Sequence, residues 1–120
     1  KMTAGQIGGV DYSLDNIEHD TLRKYFSDSR LHSCINCASL SCPDIRNEAY
    51  KPSQIKEQLL SQFRMFTNNT SKGLKIKGDT LMLNMIFGWY QGDFQPNVKS
   101  FIANYTMSND TAQLIKDTSN

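Results

Sequence analysis

From Arg30 to Asp44 the chain runs Arg-Leu-His-Ser-Cys-Ile-Asn-Cys-Ala-Ser-Leu-Ser-Cys-Pro-Asp, which gathers all three cysteines and one of the two histidines into one short stretch. No other segment constrains the fold as much. Arg30 to Asn36 alternates, with Leu31, Ser33 and Ile35 on one side and His32, Cys34 and Asn36 on the other, and this predicts a buried strand. Cys37 ends the alternation. The small residues Ala38 to Ser41 suit a sharp turn or the first turn of a helix, and Pro43 stops whatever begins there. The rest of the chain is expected to pack around this junction, with any chemistry located at it.

The spacing Cys34-x2-Cys37-x4-Cys42 leaves several chemistries open. A thiol at a helix amino end, near a histidine, ionises more easily than a free one. Cys37 and His32 are therefore candidates for a nucleophile and its base, with Glu18 or Asp93 orienting the imidazole. The competing account is structural: Cys37 and Cys42 form a disulfide, or are simply buried small hydrophobes. A metal held by His32 and Cys34 from one strand face is a third account. The second cysteine pair of a structural zinc site is missing, so we carry forward no metal and no cofactor. A phosphate-binding loop at Gly5, Gly8 and Gly9 would need the Lys-Ser/Thr ending that is absent here.

The flanking segments supply the packing. Val10 to Tyr12 reads as a short strand with the glycines as turns. Ser13 is placed to cap a helix with Asp15 in its first turn, and Leu14, Ile17, Leu22, Tyr25 and Phe26 fall on one face at helical spacing. Glu18 sits on or beside that face and needs a partner such as Arg23, Arg30, Arg46 or a histidine, because an unpaired buried charge is costly. His19 points to an adjacent sector as a semi-exposed structural residue. Ser53 opens the clearest helix, Gln54 to about Phe66, with Ile55, Leu59, Phe63 and Phe66 buried. A two-residue turn at Gly78-Asp79 joins strands near 74–77 and 80–84. Asn84 is placed to cap an aromatic segment with Phe87, Trp89, Tyr90 and Phe94, rings that read as core before they read as a ligand platform. Pro96 is placed to start a helix with Val98, Phe101, Ile102 and Tyr105 inward, and Ser108 to cap a last one with Leu114 and Ile115. The final residues are polar and expected to fray. The expected architecture is α+β: a small antiparallel-containing sheet, with strands near 31–36, 74–77 and 80–84, and four to five packed helices. Residues 1–120 read as a single domain.

Composition excludes two function classes. Thirteen basic residues stand against twelve acidic ones and are scattered, so no basic stripe suggests a nucleic-acid groove. No apolar run approaches the roughly eighteen residues of a membrane span, and no signal peptide is visible. Lys1 is not an initiator, so the chain reads as a piece of something longer. The N-x-S/T sequons beginning at Asn68, Asn69, Asn104 and Asn109 are glycosylation candidates and lean the chain slightly towards a secreted or extracellular setting.

Four pieces carry a resemblance: residues 12–19 (Tyr-Ser-Leu-Asp-Asn-Ile-Glu-His) with Leu22-Arg23 after them, residues 30–43, Asn47-Glu-Ala-Tyr at 47–50, and Ile86-Phe-Gly-Trp-Tyr-Gln-Gly-Asp-Phe at 86–94. In this order they resemble the domain-of-unknown-function family 547, over about residues 5 to 105. The pattern falls on Glu18, His19, Arg23, Arg30, His32, Asn36, Cys37, Ser39, Cys42, Pro43, Tyr50, Trp89 and Asp93. Cys34 stands where the family commonly has an apolar or small residue. Members usually carry an upstream helical segment with a Trp-x-Asn-x-Tyr-Asn type motif, and this chain starts after that point. The resemblance implies a fold and a site location, and it promises no activity.

Two function classes remain. One is a binding or assembly module whose polar cluster (Glu18, His19, Arg23, Arg30, His32, Asn36, Ser39) is a structural keystone, with a protein partner or a second copy as its ligand. The other is a thiol-dependent acyl-transfer or hydrolytic enzyme using Cys37 and His32. The first carries slightly more weight. Both expect the helix around Glu18 to lie against the segment around His32, with acid, imidazole and sulfur in one pocket.

Overall fold

The computed structural model describes residues 2–117; the expectation of fraying at 118–120 lies outside them. The chain opens with a hairpin, β1 (Gly5–Ile7) against β2 (Val10–Tyr12), in antiparallel register with Ile7 opposite Val10. Its two-residue turn takes Gly8 at φ 60° and Gly9 at φ 78°, the left-handed backbone that such turns require and that glycine adopts without a Cβ clash. Ser13 then caps as expected, its Oγ accepting from the Asn16 amide at 3.1 Å.

The helix that follows differs from the spacing argument. Asn16–Leu22 winds in wide π turns and closes as the short α1 (Arg23–Tyr25), and neither part buries a residue. A wider turn advances each residue by a smaller angle, so positions three and four apart no longer return to one face. Leu14 is consequently 74% exposed and Phe26 57% exposed instead of packed inward.

The strand expected near 31–36 is also absent. Ser29–Ser33 forms a 3-10 turn instead. Asp28 caps it, its Oδ1 accepting from the Arg30 amide at 3.0 Å, and the Ser33 hydroxyl donates to the Arg30 carbonyl at 2.7 Å. Side chains that satisfy the backbone locally compete with a sheet ladder, and here they win. The alternation of Leu31, Ser33 and Ile35 therefore has no sheet to face.

The longest element is α2 (Ile55–Asn68), which starts one residue after and ends two residues beyond the expected limits. Leu59, Phe63 and Phe66 face inward as the periodicity requires. The chain then turns back so tightly that a Cβ on Gly73 would stand 1.8 Å from the Phe66 carbonyl oxygen, so glycine is required there. The hairpin of β3 (Leu74–Lys77) and β4 (Thr80–Leu83) follows in the expected register, Leu74 opposite Leu83. Asn84 caps α3 (Met85–Trp89) through the Ile86 amide at 2.9 Å, and a 3-10 turn at Gln91–Asp93 comes next. Pro96 does not start the following helix: Asn97 caps α4 (Val98–Ala103), and Pro96 precedes it after a cis peptide bond. Ser108 caps α5 (Asn109–Asp117) through the Thr111 amide at 3.1 Å.

The fold is α+β, with two separate two-stranded antiparallel sheets among the described residues rather than one sheet that includes residues 31–36. The core is aromatic. Phe63 is wholly buried, with Phe87, Phe101 and Tyr105 meeting it edge-on at centroid distances of 6.3, 5.5 and 4.7 Å. Phe66, Phe94, Ile102 and Ile115 complete it, each contributing about 2 kcal/mol of apolar burial. Of the aromatic segment, Phe87 and Phe94 enter this core, whereas Trp89 is left outside.

Candidate functional site

Two clusters grow out of residues 30–44, and they lie in different cavities. The first is centred on Asp93, which the Gln91–Asp93 turn presents to the Ser29–Ser33 turn. The Ser29 hydroxyl donates to the Asp93 carbonyl and fixes the two turns together. Asp93 Oδ2 then accepts from three donors: His32 Nε2 at 2.8 Å, Arg23 Nη2 at 3.0 Å and Arg23 Nε at 3.1 Å. Burial pushes this carboxyl up, but the bonds from His32 and Arg23 outweigh it and hold the group below the ordinary carboxylate value.

His32 itself is 5% exposed. Tyr90 stacks on its ring at 4.4 Å with an interplanar angle of 18°, and the Arg23 guanidinium lies 4.5 Å from the centre of the same tyrosine. Arg23 Nη1 continues the chain to His19 Nδ1 at 3.1 Å, which makes that nitrogen the acceptor and leaves the proton on Nε2. Glu18 and Asp15 face that far side of His19, at 3.9 and 4.0 Å. So Glu18 lies near His19, while the carboxylate bonded to His32 is Asp93. Arg30 stays outside the network, clasping Asp28 through Nη2 at 2.6 Å and Nε at 2.9 Å, and this contact holds the Asp28 carboxyl low. The accompanying cavity of about 270 Å3 is lined by Arg23, Asp28, Ser29, His32 and Asp93 among others.

The second cluster is the cysteine loop. Cys37 and Cys42 are joined as a disulfide across a Cα separation of 6.0 Å. Asn36 closes the loop from within, its Nδ2 donating to the Pro43 carbonyl at 2.9 Å and its Oδ1 accepting from the Ala38 amide at 2.8 Å. Ala38, inside the loop, takes φ 58°, a left-handed conformation that costs a residue with a Cβ about 1–2 kcal/mol. Ser39 and Ser41 meet through their hydroxyls at 3.1 Å. Two buried or half-buried amides anchor the loop to the rest of the fold. Gln62 Nε2 donates to the carbonyls of Ser33 (2.9 Å) and Asp44 (2.8 Å), and Asn84 Nδ2 to those of Ser41 (2.7 Å) and Lys72 (2.6 Å). Cys34 is a half-buried free thiol pushed above its ordinary value by burial, with Tyr50 as a hydrogen-bond partner.

Between this loop and the base of the β3–β4 hairpin runs a groove of about 600 Å3. Met82, Met85 and Trp89 line it and are 51, 60 and 68% exposed, while Leu40 at the loop tip is 95% exposed.

The structure therefore brings together His32, Asp93, Arg23 and His19, and separately Asn36, Cys37, Ser39 and Cys42. It does not bring the Cys37 sulfur into the cavity of His32. The stacking of Tyr90 and the anchoring by Gln62 are additions to the sequence reading. Tyr90 was visible only as one ring in an aromatic run. Gln62 gave a faint signal as a polar residue next to Phe63 on the longest helix. Among the sequons, Asn68 is engaged through both Nδ2 bonds, to the Arg64 and Tyr105 carbonyls at 2.7 and 2.8 Å. Asn69 accepts from the Ser71 amide at 2.9 Å, and Asn104 and Asn109 are exposed. Among the described residues no helix is long and apolar enough to cross a membrane.

A family model described as "Protein of unknown function, DUF547" matches residues 1–67. The match takes in the Ser29–Ser33 turn, the cysteine loop and most of α2, and ends before the segment that carries Trp89 and Asp93. No curated protein and no solved structure matches the chain.

Proposed function

Since this chain belongs to the DUF547 family, a family of unknown function, we propose that it is a protein-binding or assembly domain in which the His32–Asp93–Arg23 network is a structural keystone and the groove beside the cysteine loop is the working surface. The observation that carries this reading is the placement of sulfur and imidazole. The Cys37 sulfur is bonded to Cys42 on the groove side, while His32 is stacked under Tyr90 and tied to Asp93 in another cavity. A thiol-dependent reaction needs a free thiolate within reach of its base, and neither condition is met in this arrangement.

The exposed surface supports the same reading. Tryptophan and methionine are enriched at protein interfaces, and flexible methionines let one groove adapt to a partner. A disulfide persists in oxidising compartments, which supports the lean of the sequons towards a secreted or extracellular setting. The single-domain extent over residues 1–120 belongs to the same proposal.

Alkylation of the non-reduced protein at neutral pH, followed by peptide mass mapping, tests it. The expected result is a linked Cys37–Cys42 peptide and slow labelling of Cys34 alone. If Cys37 is recovered free and alkylates faster than a cysteine in an unstructured peptide, the thiol-dependent enzyme using Cys37 and His32 takes the place of this reading.

A further inference from the structure

The two halves of the Cys37–Cys42 disulfide have unlike surroundings. Cys37 is exposed, whereas Cys42 is 3% exposed and is followed by the buried Pro43. The Cys42 side is also the anchored one. Its amide donates to the Ser39 carbonyl at 3.0 Å, and the carbonyls before and after it, of Ser41 and Pro43, accept from Asn84 and Asn36. One further bond singles out its sulfur: the Cys37 backbone N–H donates to Cys42 Sγ at 3.3 Å. Both cysteines open onto the groove of about 600 Å3, whose lining residues include no carboxylate.

We propose that this pair is a thiol–disulfide exchange site that accepts a small thiol at Cys37 and keeps Cys42 as the leaving and resolving group. Exchange there goes beyond partner binding and requires no occupant in the groove. Which sulfur of a disulfide is attacked depends on access and on how well the other sulfur leaves. Access favours Cys37, because a thiolate attacking Cys42 would have to reach a residue that is almost wholly covered. The small thiolate attacks Cys37 Sγ, a mixed disulfide forms, the Cys37–Cys42 bond breaks, and its electron pair leaves on Cys42 Sγ. Burial opposes charge on that sulfur, and the Cys37 N–H already bonded to it offsets the opposition, as a donor aimed at an anion does. Cys42 can then expel the small thiol and restore the disulfide. Attack by a second small thiol on the mixed disulfide instead completes a two-electron reduction, in which two small thiols become one disulfide and both cysteines end as thiols.

The test uses reduced glutathione as the small thiol. The full chain, with its disulfide intact, is incubated with glutathione and quenched with N-ethylmaleimide, which caps each freed thiol. Trypsin then releases residues 31–46 as one peptide, and its fragment ions locate the two adducts. The expected result is glutathione on Cys37 and maleimide on Cys42, at least about tenfold over the reverse arrangement. The synthetic disulfide-closed peptide of residues 36–43, which lacks the fold, is expected to react at its two sulfurs within about threefold of each other. An equal or reversed distribution in the protein would overturn the assignment of Cys37 as the accepting sulfur. The same bias in the peptide would overturn its origin in the fold. No adduct at glutathione concentrations that modify the peptide would overturn the exchange site itself, while leaving the groove as a binding surface.

Discussion

The polar network and the cysteine loop start from the same short stretch of chain and end in opposite conditions. Around Asp93 the charged groups engage one another: one carboxylate oxygen serves His32 and Arg23 together, and Tyr90 covers the imidazole. Around the loop the backbone is just as well satisfied, by Asn36, Gln62 and Asn84, but the side chains facing outward are left without partners in the fold. Trp89, Met85 and Leu40 project there at 68, 60 and 95% exposure. A polar group that is engaged contributes to stability, whereas a contiguous apolar patch left in water is a candidate contact surface. On the reading proposed above, the titratable cluster holds the fold and the apolar groove meets the partner.

That contrast can be broken or sharpened by substitution. The largest expected effect is Asp93→Ala, which leaves a buried imidazole and a guanidinium without their acceptor. We expect a loss of about 3 kcal/mol in urea unfolding, and no change in groove binding by the folded fraction. Next comes Cys42→Ser, or reduction, which opens a loop of a few residues. It should cost about 2 kcal/mol by the same measurement and loosen the groove wall, visible as faster hydrogen exchange at Ala38.

The acid limb of stability follows from the same network. Asp93 and Asp28 are held below the ordinary value of 3.8. Their contribution is therefore complete above the unfolded carboxylate range and is lost as pH falls through the lower folded values. Thermal melts from about pH 6 to about pH 2 should show that loss, and Asp93→Asn should flatten it. The smallest effect on stability belongs to Trp89→Ala, within about 0.5 kcal/mol, because the ring is exposed. A Trp89→Ala loss as large as that of Asp93→Ala would erase the distinction between the two regions.

Much of the local structure could be read directly. Gly78-Asp79 between alternating Leu74, Ile76, Leu81 and Leu83 gave the second hairpin, and Ser13, Asn84 and Ser108 were caps because their side-chain oxygens meet amides within three residues. The Phe63 stripe was equally plain. The site was legible only in part. The spacing left Glu18 and Asp93 as alternative partners for His32; Asp93 lies 2.8 Å from His32 Nε2, and Glu18 lies 3.9 Å from His19 instead. The misreading of Arg30 to Asn36 as a strand has a definite cause. A period of two says which faces a strand would have, and it cannot say whether Asp28 and Ser33 will capture the backbone first.

What the amino-acid order determined by itself is what can be decided within one turn of chain: caps, hairpin turns, the inward stripe of a long helix, and a loop of small residues flanked by two cysteines. Those choices depend on contacts between near neighbours, so they are already written in spacing. Tertiary structure alone decided that Asp93, sixty-one positions along the chain, would be the partner of His32, and that Tyr90 would cover the imidazole while Trp89, its neighbour, stayed in water. Adjacent side chains on a short helix point in different directions. Which of them meets protein and which meets solvent depends on where the whole element is docked.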